Sequence, residues 1–91
     1  MKAYRVDYTP AAYKMLNKLD KPIAGMLYAW IEANLVGRSD PRAYGKALSA
    51  NRAGQWRYRV GNYRLIATIN DKTVIILMLA IGHRSTIYDG P

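Results

Sequence analysis

An α+β sandwich of two layers, an antiparallel sheet packed on an N-terminal helical hairpin, is the fold class the sequence predicts. Three observations carry that reading. A short alternating stretch opens the chain, two stretches with apolar residues at helical spacing follow, and from Gly54 onward the pattern changes to period two in three successive runs. At 91 residues the chain holds one hydrophobic core and no second, so residues 1–91 are read as a single domain with its functional site on the surface.

The first element is a strand: Ala3 to Tyr8 alternates apolar and polar side chains and stops at Thr9-Pro10. Thr9 suits an N-cap and Pro10 a first helical residue, because proline has no N–H to leave unpaired there. Ala12, Met15, Leu16 and Leu19 then recur at helical spacing, and Asp20-Lys21-Pro22 restarts the pattern in a second helix. Its stripe is Ile23, Met26, Leu27, Trp30, Ile31 and Leu35, with Gly37 placed to end it. Gly37 to Asn51, broken by Ser39-Asp40-Pro41 and Gly45, reads as a loop holding one short strand or turn around Tyr44 to Leu48. Three antiparallel strands complete the chain, Trp56 to Val60, Tyr63 to Ile69 and Thr73 to Ile81, separated by Gly61-Asn62 and Asn70-Asp71-Lys72.

Composition narrows the function classes. Hydrophobic residues make up 51% of the chain and charged residues 22%, the balance of a folded domain. With 14 Lys and Arg against 6 Asp and Glu, the net charge of +8 points to a polyanionic partner, nucleic acid first. A membrane surface fits less well: no long helix carries a dense basic face, and the longest apolar run, Val74 to Ile81, is too short to span a bilayer. The absence of cysteine excludes disulfides, thiolate zinc sites and cysteine nucleophiles, and a single histidine, His83, argues against a histidine metal site. An N-terminus without the apolar core of a signal peptide, together with the lack of cysteine, leads to the expectation of a cytoplasmic protein.

The strand pattern also predicts a site. A two-residue loop at Gly61-Asn62, glycine first as a type II′ turn requires, pairs Val60 with Tyr63 and so Arg59 with Arg64 and Arg57 with Ile66. Arg57, Arg59 and Arg64 then share one face, while Trp56, Tyr58, Val60, Tyr63, Leu65, Ala67 and Ile69 form the core face. Like charges directly opposed across two strands cost about 0.2–1 kcal/mol, and an anion between them removes that cost. The guanidinium fork matches phosphate better than an ammonium does, which favours a phosphate site over three ordinary solvated arginines. Gly82-His83-Arg84 closes the last strand and Tyr88 follows, so an imidazole, a guanidinium and a phenol are expected near one end of the sheet.

Two segments carry a resemblance to a known family: Gly54-Gln55-Trp56-Arg57-Tyr58-Arg59-Val60-Gly61-Asn62-Tyr63-Arg64-Leu65-Ile66, and Ile81-Gly82-His83-Arg84 with Tyr88. Together they resemble the RelE/ParE superfamily of toxins from type II toxin–antitoxin systems, and the order of elements agrees over nearly the whole chain. The resemblance implies a two-layer α+β fold and, for the RelE branch, a metal-independent, cofactor-free endoribonuclease. Such toxins bind in the ribosomal A site and cut mRNA by attack of a ribose 2′-hydroxyl on the adjacent phosphate.

Carried over by position, Arg57, Arg59, Arg64 and Arg84 would neutralise the scissile phosphate and its transition state, and Tyr88 would orient the nucleotide by stacking. RelE has lysines where this chain has Arg57 and Arg59, and arginine is a poor general base. His83 then becomes the candidate proton acceptor. The resemblance also implies a cognate antitoxin that wraps the helices and the basic face in a hetero-oligomer. Two alternatives stay open at this point: a ParE-like inhibitor of DNA gyrase, and a non-catalytic nucleic-acid-binding module in which the same arginines hold phosphates.

Overall fold

The computed structural model describes residues 2–87. Its elements are β1 (Arg5–Tyr8), α1 (Pro10–Lys18), α2 (Lys21–Asn34), β2 (Lys46–Ala47), a 3₁₀ turn (Ala50–Arg52), β3 (Trp56–Val60), β4 (Tyr63–Asn70) and β5 (Ile75–His83). The helices cover one face of a five-stranded sheet in the order β1-β5-β4-β3-β2, the two-layer α+β class the sequence predicts. The sheet is mixed, however. β1 lies parallel to β5, with Val6 beside Ile76 and Tyr8 beside Met78, while the other pairs are antiparallel. Alternation within a strand reports which side chains face the core and says nothing of the partner's direction, so the parallel pairing was invisible in the sequence.

Both helix starts follow from their punctuation. Thr9 caps α1, its Oγ1 accepting the Ala12 N–H at 3.1 Å, with Pro10 just inside the helix. Asp20 caps α2 by position, without a side-chain bond. After α2, Gly37 takes φ +75 and its N–H bonds the Tyr4 carbonyl at 2.8 Å, while the Tyr4 N–H bonds Arg38 O, which ties the helix exit to the entry of β1. From the helices, Ala12, Leu16, Leu27, Ile31 and Leu35 enter the core; Met15 and Met26, on the same predicted stripes, stand exposed because the sheet covers a narrower arc of each helix than the apolar residues occupy.

Across the sheet the core is Tyr58, Val60, Leu65, Ala67, Ile76, Met78 and Ile81. Met78 and Ile81 are three residues apart yet face the same way, because the register shifts at Ile66/Ala67: Ala67 pairs with Met78 but Ile66 with Ala80, leaving Leu79 as the extra residue of a β-bulge. The β4–β5 turn uses more residues than the sequence reading allowed. Asn70 Oδ1 accepts the N–H groups of Lys72 and Thr73, Val74 turns with φ +60, and β5 therefore starts at Ile75 and runs on to His83.

Candidate functional site

The hairpin of β3 and β4 forms with the register the Gly61-Asn62 loop dictates. Gly61 has φ +60 and Asn62 has no positive φ, as a type II′ turn requires, and Arg59 pairs with Arg64, Arg57 with Ile66 and Val60 with Tyr63. Arg57, Arg59 and Arg64 thus lie on one face, opposite the helices.

Their environments differ. Arg59 is exposed, whereas Arg57 and Arg64 are 7% and 3% exposed. The Arg64 Nη1 donates to the carbonyls of Gly61 at 3.2 Å and Tyr63 at 3.1 Å, which pins its guanidinium against the hairpin turn. The arginines therefore split into a buried, anchored part and an exposed one.

The turn at residues 84–87 folds back onto part of this face. Thr86 and Ile87 both donate their N–H to His83 O, and Ile87 is buried. A Cβ on Gly82 would meet Ile87 Cγ1 and Thr86 Oγ1 at 3.1 Å, so glycine lets this turn fold back closely. Gly82 pairs with Arg64, and the returning turn therefore arrives on the arginine face. Arg84, exposed in the same turn, donates its N–H to Asn62 O at 2.8 Å and is held beside the β3–β4 loop.

His83 closes β5 and faces away from Arg64. It pairs with Tyr63, one row beyond Arg64 and Gly82, so the pleat puts its side chain on the helix side of the sheet. Its ring meets Tyr63 edge-on at 5.3 Å. Nδ1 accepts the Ser85 N–H at 3.1 Å and lies 2.8 Å from Ser85 Oγ, so in the neutral ring the proton sits on Nε2. Tyr88, the remaining site expectation, lies outside the described residues.

Sequence reading missed one cation. β2 pairs with β3 so that Lys46 stands directly opposite Arg57, on the arginine face and exposed. The signal that would reveal it is long-range, since nothing near Lys46 in sequence announces its partner. Its position depends on a close approach: Gly45 has φ +81, and a Cβ there would come within 2.2 Å of Arg57 O and 2.7 Å of Trp56 Nε1. The Trp56 Nε1 donates to Tyr44 O at 2.7 Å, fastening this loop to β3.

A second surface lies between the helices. Tyr8, Tyr13, Leu16, Ala24, Gly25 and Tyr28 line a groove of about 460 Å³, and burial pushes the Tyr8 phenol up to about 12. Among the described residues no helix is long and apolar enough to cross a membrane, and no three His, Cys, Asp or Glu side chains cluster as metal ligands.

Comparison with known proteins gives a consistent picture. Residues 6–88 match the model of a family described as ParE toxin of the type II toxin–antitoxin system parDE. The chain is 32% identical over 85 residues to Toxin RelG of Mycobacterium tuberculosis, covering 93% of this chain and 95% of that one. Among solved structures it is similar to a chain of the M. tuberculosis toxin–antitoxin complex RelBE2, with TM-score 0.82, 30% identity and coverage of 90% and 99%. A mutant of E. coli RelE in complex with a peptide of the antitoxin RelB shares the fold at TM-score 0.70 and 22% identity, covering 89% of this chain and 83% of that one.

Proposed function

The chain belongs to the RelE/ParE superfamily of type II toxin–antitoxin toxins, and from that premise we propose that it is a ribosome-dependent endoribonuclease that cuts mRNA and stops translation. The observation that carries this reading is the pairing of Arg59 with Arg64 on a sheet face that no helix covers. An exposed guanidinium at Arg59, with the cation of Arg64 on the facing strand, favours a phosphate dianion on this face. In the proposed reaction the substrate's 2′-hydroxyl attacks the adjacent phosphate, giving a 2′,3′-cyclic phosphate and releasing a 5′-hydroxyl. Arg59 and Arg84 hold the phosphoryl oxygens, Arg64 fixes the turn and adds charge beneath them, and the developing charge is stabilised by donors already in place.

Arg57 belongs to the same field, and Tyr88 is assigned the base-orienting role. His83 is assigned to proton transfer in a restricted sense. Its neutral ring presents Nε2–H; to accept a proton at Nε2 it must adopt the other tautomer, with Nδ1–H donating to Ser85 Oγ and the Ser85 N–H bond given up.

A cognate antitoxin is part of the proposal. The net charge of +8 and the exposed Tyr13, Met15, Met26 and Tyr28 on the helices support an acidic, amphipathic segment as its binding element. Cytoplasmic location follows from a ribosomal target.

The test is cleavage of mRNA on purified ribosomes, read by primer extension. Wild type cuts within the translated frame, and Arg59→Ala loses about 10²–10³-fold in rate; His83→Ala falls as well, and full activity in that variant removes His83 from proton transfer. The match to the ParE family model favours one second reading, inhibition of DNA gyrase. Loss of supercoiling by purified gyrase, with mRNA left intact, establishes it in place of the first.

A further inference from the structure

The long loop after α2 carries two opposite charges that do not neutralise each other. Arg38 and Asp40 are exposed and, together with Tyr44, line one cavity of about 270 Å³. Among the described residues neither makes an ion pair, although Arg5 and Asp7, spaced alike in sequence, meet at 3.3 Å. Each is tied to the backbone instead. Arg38 Nε donates to Ala33 O at 3.2 Å, and Asp40 Oδ1 accepts the Arg42 N–H at 3.1 Å, while the Arg42 guanidinium goes to Asp71. The Nη groups of Arg38 and the second oxygen of Asp40 are left without a partner among the described residues. Tyr44 is 48% exposed yet held in place: its ring stands edge-on to Trp30 at 5.7 Å, and its carbonyl accepts Trp56 Nε1 at 2.7 Å. A donor fork, a carboxylate and a fixed aromatic ring around one small cavity are the parts that recognise a flat heterocycle by its edge and its face.

This cavity is separate from the arginine face of β3 and β4. Its loop is joined through Arg42 to Asp71 in the β4–β5 turn, and from Arg64 to Asn70 the strand rises about 20 Å. We propose that it binds one unpaired guanine base. Guanine sets two acceptors, O6 and N7, beside two donors, N1–H and N2–H. The acceptors match the guanidinium fork of Arg38 and the donors match the Asp40 carboxylate, which has about four acceptor sites and keeps its bond to Arg42. Adenine and cytosine offer a carboxylate one amino group, and uracil one ring N–H. Tyr44 takes the face of the base. Because N1–H and N2–H are the groups that pair with cytosine, the base is unpaired, in a single RNA strand or in a free nucleotide. The proposal does not rest on the ribonuclease reading.

The experiment titrates the protein with guanosine, adenosine, cytidine and uridine, followed by ¹H–¹⁵N NMR. Nucleosides carry no phosphate, so the net charge of +8 does not draw them to the rest of the surface. Guanosine shifts the backbone amides of residues 38–44 and binds about tenfold or more tighter than the other three. Asp40→Asn, whose amide oxygen still accepts the Arg42 N–H, and Arg38→Gln each weaken guanosine by about tenfold. Tyr44→Ala weakens it also, whereas Tyr44→Phe keeps the wild-type affinity because the ring and not the hydroxyl makes the contact.

Two 2′-O-methyl uridine oligomers, one of them carrying a single guanosine, distinguish the sources of the base. Tighter binding of the guanosine-bearing oligomer, lost in Asp40→Asn, assigns the cavity to an RNA strand. A guanosine preference with no difference between the oligomers assigns it to a free nucleotide. Equal shifts from all four nucleosides overturn the proposal, as do guanosine shifts confined to β3 and β4, a folded Asp40→Asn with wild-type affinity, or no preference for guanine in either arm.

Discussion

Glycine at position 45 determines where the basic face ends. Its φ of +81 is open to glycine at little cost, and a methyl group placed there would lie 2.2 Å from the Arg57 carbonyl oxygen. That oxygen belongs to the backbone, so no side chain can swing away to relieve the clash. We expect Gly45→Ala to destabilise the fold by about 2–4 kcal/mol, combining overpacking with a left-handed backbone conformation. Thermal unfolding followed by circular dichroism checks this; an unchanged Tm would mean that the loop does not press on β3. Gly82 plays a related part on the same face, admitting Ile87, but its neighbours there are side-chain and not backbone atoms.

At the scale of an element, the junction of β1 and α1 is fixed twice through one residue. Thr9 caps α1 through Oγ1, and its N–H bonds Met78 O at 3.0 Å, next to the bulge at Leu79. Capping accounts for the helix start, while the bond to β5 sets the angle at which α1 leaves the sheet to lie over it. Thr9→Ala removes the cap and keeps the backbone bond, so a loss of about 1 kcal/mol is expected. In a domain of this size that lowers Tm by about 4–8 °C. Thr9→Ser, which retains the hydroxyl, restores most of it.

The bulge itself has a larger consequence. By returning Ile81 to the core face it assigns Gly82 to the arginine face and His83 to the helix side.

For the molecule as a whole, one cluster joins distant segments. Arg42, in the long loop after α2, makes two bonds of 3.1 Å to Asp71 in the β4–β5 turn; Tyr4 OH donates to the same carboxylate at 2.6 Å, and Lys2 Nζ to the Asp71 carbonyl. The loop is further held by Tyr58, whose buried hydroxyl donates to Pro41 O at 2.6 Å, with Trp30 packed against both Tyr44 and Tyr58. Arg42 first, and then Tyr4, hold the Asp71 carboxyl below its usual range.

A carboxyl lowered in the folded state contributes stability above its unfolded value, about 3.9, and loses it as pH falls through the folded value. Asp71→Asn should therefore lower Tm at neutral pH, with the gap to wild type closing below about pH 4. Melting curves from pH 2 to 7 test this, and a gap that is independent of pH would assign the effect to packing instead of charge. The ion pair is solvent-accessible, so its share is modest and falls with salt.

How much of this was legible beforehand follows from the range of each cause. Sequence alone determined the helical hairpin, the β3–β4 register and the grouping of Arg57, Arg59 and Arg64, because caps, a two-residue turn and period-two alternation all act over a few neighbouring residues. Only the tertiary structure decided the rest. The parallel seat of β1 on β5, the bulge at Leu79, the burial of Arg57 and Arg64, the seat of His83 on the helix side and the arrival of Lys46 opposite Arg57 all depend on meetings between segments far apart in the chain. A strand's own pattern records which face is apolar, while the partner that meets its edge, and the row at which it does so, are settled when the layers pack.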